Sequence, residues 1–148
     1  RKRAQRKRTG MYKTILVTLD CTPTDRAIID HVKLLAGAMQ SRVVLLHVAS
    51  GAPAQYHGPN AAGQEVEESR GYLDRVQAEF VSAGIVAESE LACGEPVKEI
   101  VNWVQRKRPD LVAMSTHGHH FVADLVLGTT AIRVQHSISV PMLLLRAK

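Results

Sequence analysis

Between Ser115 and Thr130 the chain reads STHGHHFVADLVLGTT, which puts Gly118 in a loop and Gly128-Thr129-Thr130 ahead of a segment with helical spacing. Glycine lets a backbone approach an anion with no side chain in the way. The unpaired N–H groups at a helix start point at such an anion, and the helix dipole favours its negative charge. Thr129 adds a hydroxyl, and the N–H groups of Thr129 and Thr130 are among the free donors of that helix start. The chemistry predicted is phosphate binding, with a nucleotide as the leading ligand. The same glycines also suit a plain turn into a helix, so the loop is one part of the argument and not the whole of it.

Asp20 ends the apolar run TILVTLD. A carboxylate there can accept bonds from an amino group, a ribose or the waters of a cation, and it can equally cap the turn that follows. His117, His119 and His120 stand together, but without Asp, Glu or Cys at zinc-ligand spacing they are expected at a solvated loop lip, and no metal is assigned to them. Cys21 and Cys93 have no CxxC spacing and read as two reduced thiols. No GxSxG elbow and no GxxxxGK[ST] loop is present. Phosphoryl transfer needs positioned cations and an oriented water, and no residue stands out as a base aimed at a phosphate, so at most slow hydrolysis is expected.

The elements that must position these residues alternate. Lys13 to Leu19 and Arg42 to Val48 read as strands covered on both faces, Ile85 to Leu91 as a less apolar edge strand, Asp110 to Ser115 as a fourth strand and Val140 to Arg146 as a fifth. A capping box with proline, Thr22-Pro23-Thr24-Asp25, opens a helix that carries Ile28, Val32, Leu35 and Met39. Val66, Leu73, Val76 and Phe80 mark a second helix closed by Gly84. Gly94-Glu95-Pro96 opens a third, with Val97, Ile100, Val101 and Val104 on one face, and a fourth is expected around Thr129 to His136. Ser50 to Gly63, rich in Gly, Pro and Ala, is expected as a long loop. Such alternation calls for a parallel sheet covered by helices on both faces in one α/β domain.

The stretch from Met11 to Lys148 resembles the universal stress protein family. Its nucleotide-binding class carries the pattern G-x2-G-x9-G-[ST]. Here Ser115 stands at the first glycine, Gly118 and Gly128 are separated by nine residues, and Thr129 takes the hydroxyl position. TILVTLD, VVLLHV, GEPVKEI and VPMLLLR extend the likeness along the chain. The resemblance implies a three-layer fold with a five-stranded sheet of order 3-2-1-4-5, whose switch point lies between the first and fourth strands, so a ligand is expected at their carboxyl ends. It also implies an ATP site, with AMP or ADP as variants and Mg2+ or Mn2+ on the phosphates. That site is built from Thr18, Asp20, Val48, Met114, Ser115, Gly118, Gly128, Thr129 and Thr130. Further implications are a regulatory role in stress tolerance or signalling and a homodimer paired through Val140–Arg146. Ser115 and the Gly118-His119-His120 string are similar to a second branch of the family, which binds no nucleotide, and this keeps a dimeric interaction protein as the alternative.

The chain has 148 residues, 45% of them hydrophobic, enough for one domain with a full core. No apolar run reaches the roughly 18–20 residues of a membrane span, and none reads as a secretory signal, so a cytoplasmic protein is expected. The net charge of +5 is concentrated at one end: RKRAQRKRTG holds six Lys/Arg and no acid, leaving the remainder at −1. Residues 1–10 are expected to be a flexible basic leader or a remnant outside the domain of residues 11–148. Nucleic acid is not an expected partner of the body, and any binding to it is expected through that leader.

Overall fold

The computed structural model describes residues 10–51, 59–116 and 129–147. Strands β1 (Thr14–Thr18), β2 (Arg42–Ala49), β3 (Ala87–Cys93), β4 (Leu111–Thr116) and β5 (Met142–Arg146) form one sheet in the order β3-β2-β1-β4-β5. Every pairing is parallel. Helices α1 (Arg26–Met39), α2 (Pro59–Ser82), α3 (Pro96–Lys107) and α4 (Thr129–Ser137) alternate with the strands. This is the α/β architecture and strand order expected from the sequence.

Because side chains alternate along a strand, β1 feeds two cores. Ile15, Val17 and Leu19 pack with Ile28 and Val32 of α1 and with Leu73, Val76 and Phe80 of α2. Leu16 packs on the other face with Val97, Ile100, Trp103 and Val104 of α3 and with Ala131 and Val134 of α4. Ile15, Leu16 and Val17 have no accessible surface, as a central parallel strand covered on both sides requires. Fully burying each such side chain contributes about 1.5–3 kcal/mol.

Several boundaries differ from expectation, each for a local reason. The Asp110 carboxylate accepts the N–H groups of Lys13 and Thr14, so it caps the amino end of the sheet and stands before β4. Gly84 turns the chain at φ +79 and the Ile85 N–H bonds the Phe80 carbonyl, so Ile85 closes α2 and β3 starts at Ala87. Pro141 lacks an N–H, and β5 begins after it. The expected loop from Ser50 to Gly63 is shorter, because α2 already begins at Pro59, a residue suited to a first helical turn. Gly10 packs against the end of α1, where a Cβ would lie 2.3 Å from the Met39 carbonyl oxygen. Among the described residues no helix is long and apolar enough to cross a membrane.

Candidate functional site

The carboxyl ends of β1 and β4, neighbours in the sheet, form the switch point where connections leave toward opposite faces. Val48 and Met114 pack on the α3–α4 face, and Thr18 joins that face by alternation from Leu16. The register aligns Thr18 with Leu46, which puts Val48 just beyond the end of β1. The three expected wall residues are thus brought together at one end of one face. Ser115 lies inside β4 and not at its end, since Thr116 still pairs with Arg146. By alternation from Leu111 and Ala113 it faces the α1–α2 side, and its buried Oγ has no hydrogen-bond partner among the described residues.

The start of α4 is at the same end of the sheet. Its last residue, Ser137, is followed after four residues by β5, whose first residue Met142 pairs with Val112 near the amino end of β4. A nine-residue helix spans about 13 Å, so Thr129 and Thr130 point back toward the carboxyl ends. At the start of α3 the Glu95 carboxylate accepts the N–H groups of Lys98 and Val97 at 2.8 and 3.3 Å, and those bonds hold it below the usual carboxylate range. The first donors of α3 are therefore occupied. Arg133 of α4 reaches Glu95 at 3.4 Å and ties the two helix starts together. Gly118, Gly128 and the three histidines His117, His119 and His120 lie outside the described residues.

Asp20 lies two residues past β1 and is exposed. The Leu19 N–H makes one last bond to the Leu46 carbonyl, after which the Asp25 carboxylate takes over the backbone donors and ends the ladder. Asp20 lines a cavity of about 460 Å³ with Cys21, His47, Glu65, Glu68, Ser69, Tyr72 and Arg75. That cavity opens on the α2 side, with Asp20 at its rim just past the end of β1. The His47 Nδ1 lies 2.7 Å from the Leu19 carbonyl oxygen, which can only accept, so Nδ1 carries a proton and donates it there.

Sequence reading missed Asp25 and Tyr72 as site residues. Asp25 showed only as the last position of the capping box. It does reach back to the Thr22 N–H, at 3.4 Å, but also to those of Cys21 and Asp20. Pro23–Asp25 form a single 3-10 turn before α1. Burial pushes the Asp25 carboxyl up, opposed by these N–H groups and by the Tyr72 hydroxyl. Burial first, and the Asp25 charge second, push the Cys21 thiol up to about 12, so it is not a nucleophile at neutral pH. Nothing in the periodicity of α2 marks Tyr72, whose partner is 47 residues away.

The sequence pattern of the universal stress protein family matches residues 11–146. The chain belongs to the universal stress protein family. Among its relatives is universal stress protein MJ0577 of Methanocaldococcus jannaschii, 24% identical over 93% of this chain and 97% of the relative. The solved structure of MJ0577 superposes with a TM-score of 0.83 over 93% of this chain and 98% of that one. A universal stress protein solved in complex with cAMP has a TM-score of 0.69 at 17% identity, covering 93% of this chain and 98% of that chain. Another, from Archaeoglobus fulgidus in complex with dAMP, has a TM-score of 0.68 at 15% identity, covering 90% and 98%. At these identities the likeness to solved structures establishes the family fold.

Proposed function

We propose that this universal stress protein binds an adenine nucleotide across the carboxyl ends of β1 and β4. ATP is the first candidate, AMP and ADP are variants, and the nucleotide is a regulatory ligand of a stress-response or signalling module, held with little or no turnover. The observation that carries this reading is the convergence of Thr18, Val48 and Met114 on the α3–α4 face, beside a helix start preceded by Gly128 and opened by Thr129 and Thr130. Relatives solved with cAMP and dAMP support the adenine nucleotide as the class.

The residues present fit such a ligand. At Ser115, whose side chain turns to the α1–α2 side, it is the backbone that would be presented to such a ligand. Among the described residues no group of three His, Cys, Asp or Glu side chains is arranged to hold a metal. Mg2+ or Mn2+ would therefore ride on the phosphates, neutralising their charge. Thr129, Thr130 and the backbone at Gly118 and Gly128 would hold the phosphates, and Thr18, Val48 and Met114 would wall the base.

Isothermal titration of the whole chain with ATP and magnesium tests this. Absence of binding at millimolar nucleotide would overturn it in favour of the nucleotide-free dimeric interaction protein, the reading that Ser115 at the first glycine position favours.

A further inference from the structure

Among the described residues Asp25 is the one acidic side chain that is fully buried. Its Oδ1 accepts the N–H of Asp20 at 3.0 Å, and its Oδ2 accepts those of Cys21 and Thr22 at 2.9 and 3.4 Å. Oδ2 also accepts the hydroxyl of Tyr72, from α2, at 2.9 Å. These bonds hold Cys21 at φ +60, in the left-handed region that a residue with a Cβ adopts at a cost. Such a conformation persists where its surroundings over-determine it. The loop that carries Asp20 is thus shaped by one carboxylate, and that carboxylate is anchored to a helix on the far side of the cavity.

We propose that Asp25 and Tyr72 are positioning residues for the nucleotide site: together they hold the backbone of Asp20–Thr22 and tie it to α2, so that the placement of α2 is coupled to nucleotide affinity. This rests on the nucleotide reading above. Neither side chain needs to touch the ligand. Loop and helix share one polar junction, and a displacement of α2 that lengthens the Tyr72–Asp25 bond frees the backbone donors on which the position of Asp20 depends. Asp20 and Cys21 on the loop, Arg26 at the start of α1, His47 on β2, and Tyr72 with Glu65, Glu68 and Arg75 on α2 are the titratable and charged groups around this junction. The Tyr72 bond helps hold the Asp25 carboxyl down against the effect of burial. That bond is worth most while Asp25 is ionised and less once it is protonated.

The test compares wild type, Tyr72→Phe and Gln77→Ala by titration with magnesium ATP across pH, by thermal melting, and by amide exchange without nucleotide. Gln77 bonds Ser89 and the Ala87 carbonyl, so its loss weakens α2 against β3 away from the loop. Tyr72→Phe is expected to weaken ATP binding about 3- to 30-fold and to speed amide exchange at Asp20–Thr22. Its affinity ratio to wild type, in which the nucleotide's own titration cancels, should narrow as the pH is lowered, because the lost bond favours the ionised carboxylate. Gln77→Ala should lower the melting temperature and leave affinity unchanged. Wild-type affinity in Tyr72→Phe, unchanged exchange at the loop, or losses that follow melting temperature in both variants would each overturn the proposal. A wild type that binds no nucleotide overturns the nucleotide reading and with it the positioning role, and the exchange measurement then decides the coupling of α2 to the loop by itself.

Discussion

The Tyr72 hydroxyl lies 2.9 Å from Asp25 Oδ2, joining α2 to the turn before α1 across 47 residues of chain. Burial raises the pKa of both groups. Because the folded pKa of Asp25 stands above its ordinary 3.8, the native state holds more protons than the unfolded chain in the window just above that value. Stability from this group is therefore present at low pH and lost as pH rises through the folded pKa. Glu79 runs the other way, held down chiefly by the Arg26 hydrogen bond, but its exposed position keeps that contribution small.

The stability difference between wild type and Asp25→Asn should accordingly shrink as pH rises from 3 toward 7. Urea unfolding at both pH values checks the sign. A difference that grows with pH would mean that the hydrogen bonds of Asp25 outweigh its burial.

Replacing Gly128 with valine should reduce ATP affinity at least tenfold while leaving the melting temperature near that of wild type. A β-branched side chain would stand where phosphate oxygens must approach the donors of Thr129 and Thr130. Titration of Gly128→Val beside wild type reads this directly, and equal affinities would move the phosphates elsewhere.

β5 is an edge of the sheet, and Met142, Leu143, Leu144 and Leu145 are only partly buried. An apolar edge of this kind is normally paired or covered. Light scattering at micromolar concentration should return twice the chain mass of 16.2 kDa. Leu144→Lys should return the single mass, at a cost to the monomer of about 1 kcal/mol.

Deleting residues 1–9 should leave the melting temperature and ATP affinity unchanged and abolish binding to nucleic acid. Those residues hold six Lys/Arg and no acid, whereas the proposed nucleotide contacts come from the body. Gly10 is retained because it packs on Met39. Binding through a basic arm is counterion release, so the full chain's affinity should fall steeply with added salt. Salt-insensitive binding by the shortened chain would contradict this division.

Hydrophobic period and turn chemistry were enough to read the alternation of strands and helices from the sequence, because these signals are local: Ile28 and Val32 recur at helical spacing, and Gly84 marks a helix end. The strand order and the position of Thr18, Val48 and Met114 came from resemblance to relatives, since pairing between distant strands leaves no local trace. The tertiary structure alone decided how the loop after β1 is held. Thr22-Pro23-Thr24-Asp25 reads as a helix cap, and only packing α2 against α1 brings Tyr72 to Asp25 and turns a capping carboxylate into the anchor of Asp20–Thr22. Local spacing specifies which residues share a strand face, but which helix covers that face, and which polar groups it buries there, depends on contacts between segments far apart in the chain.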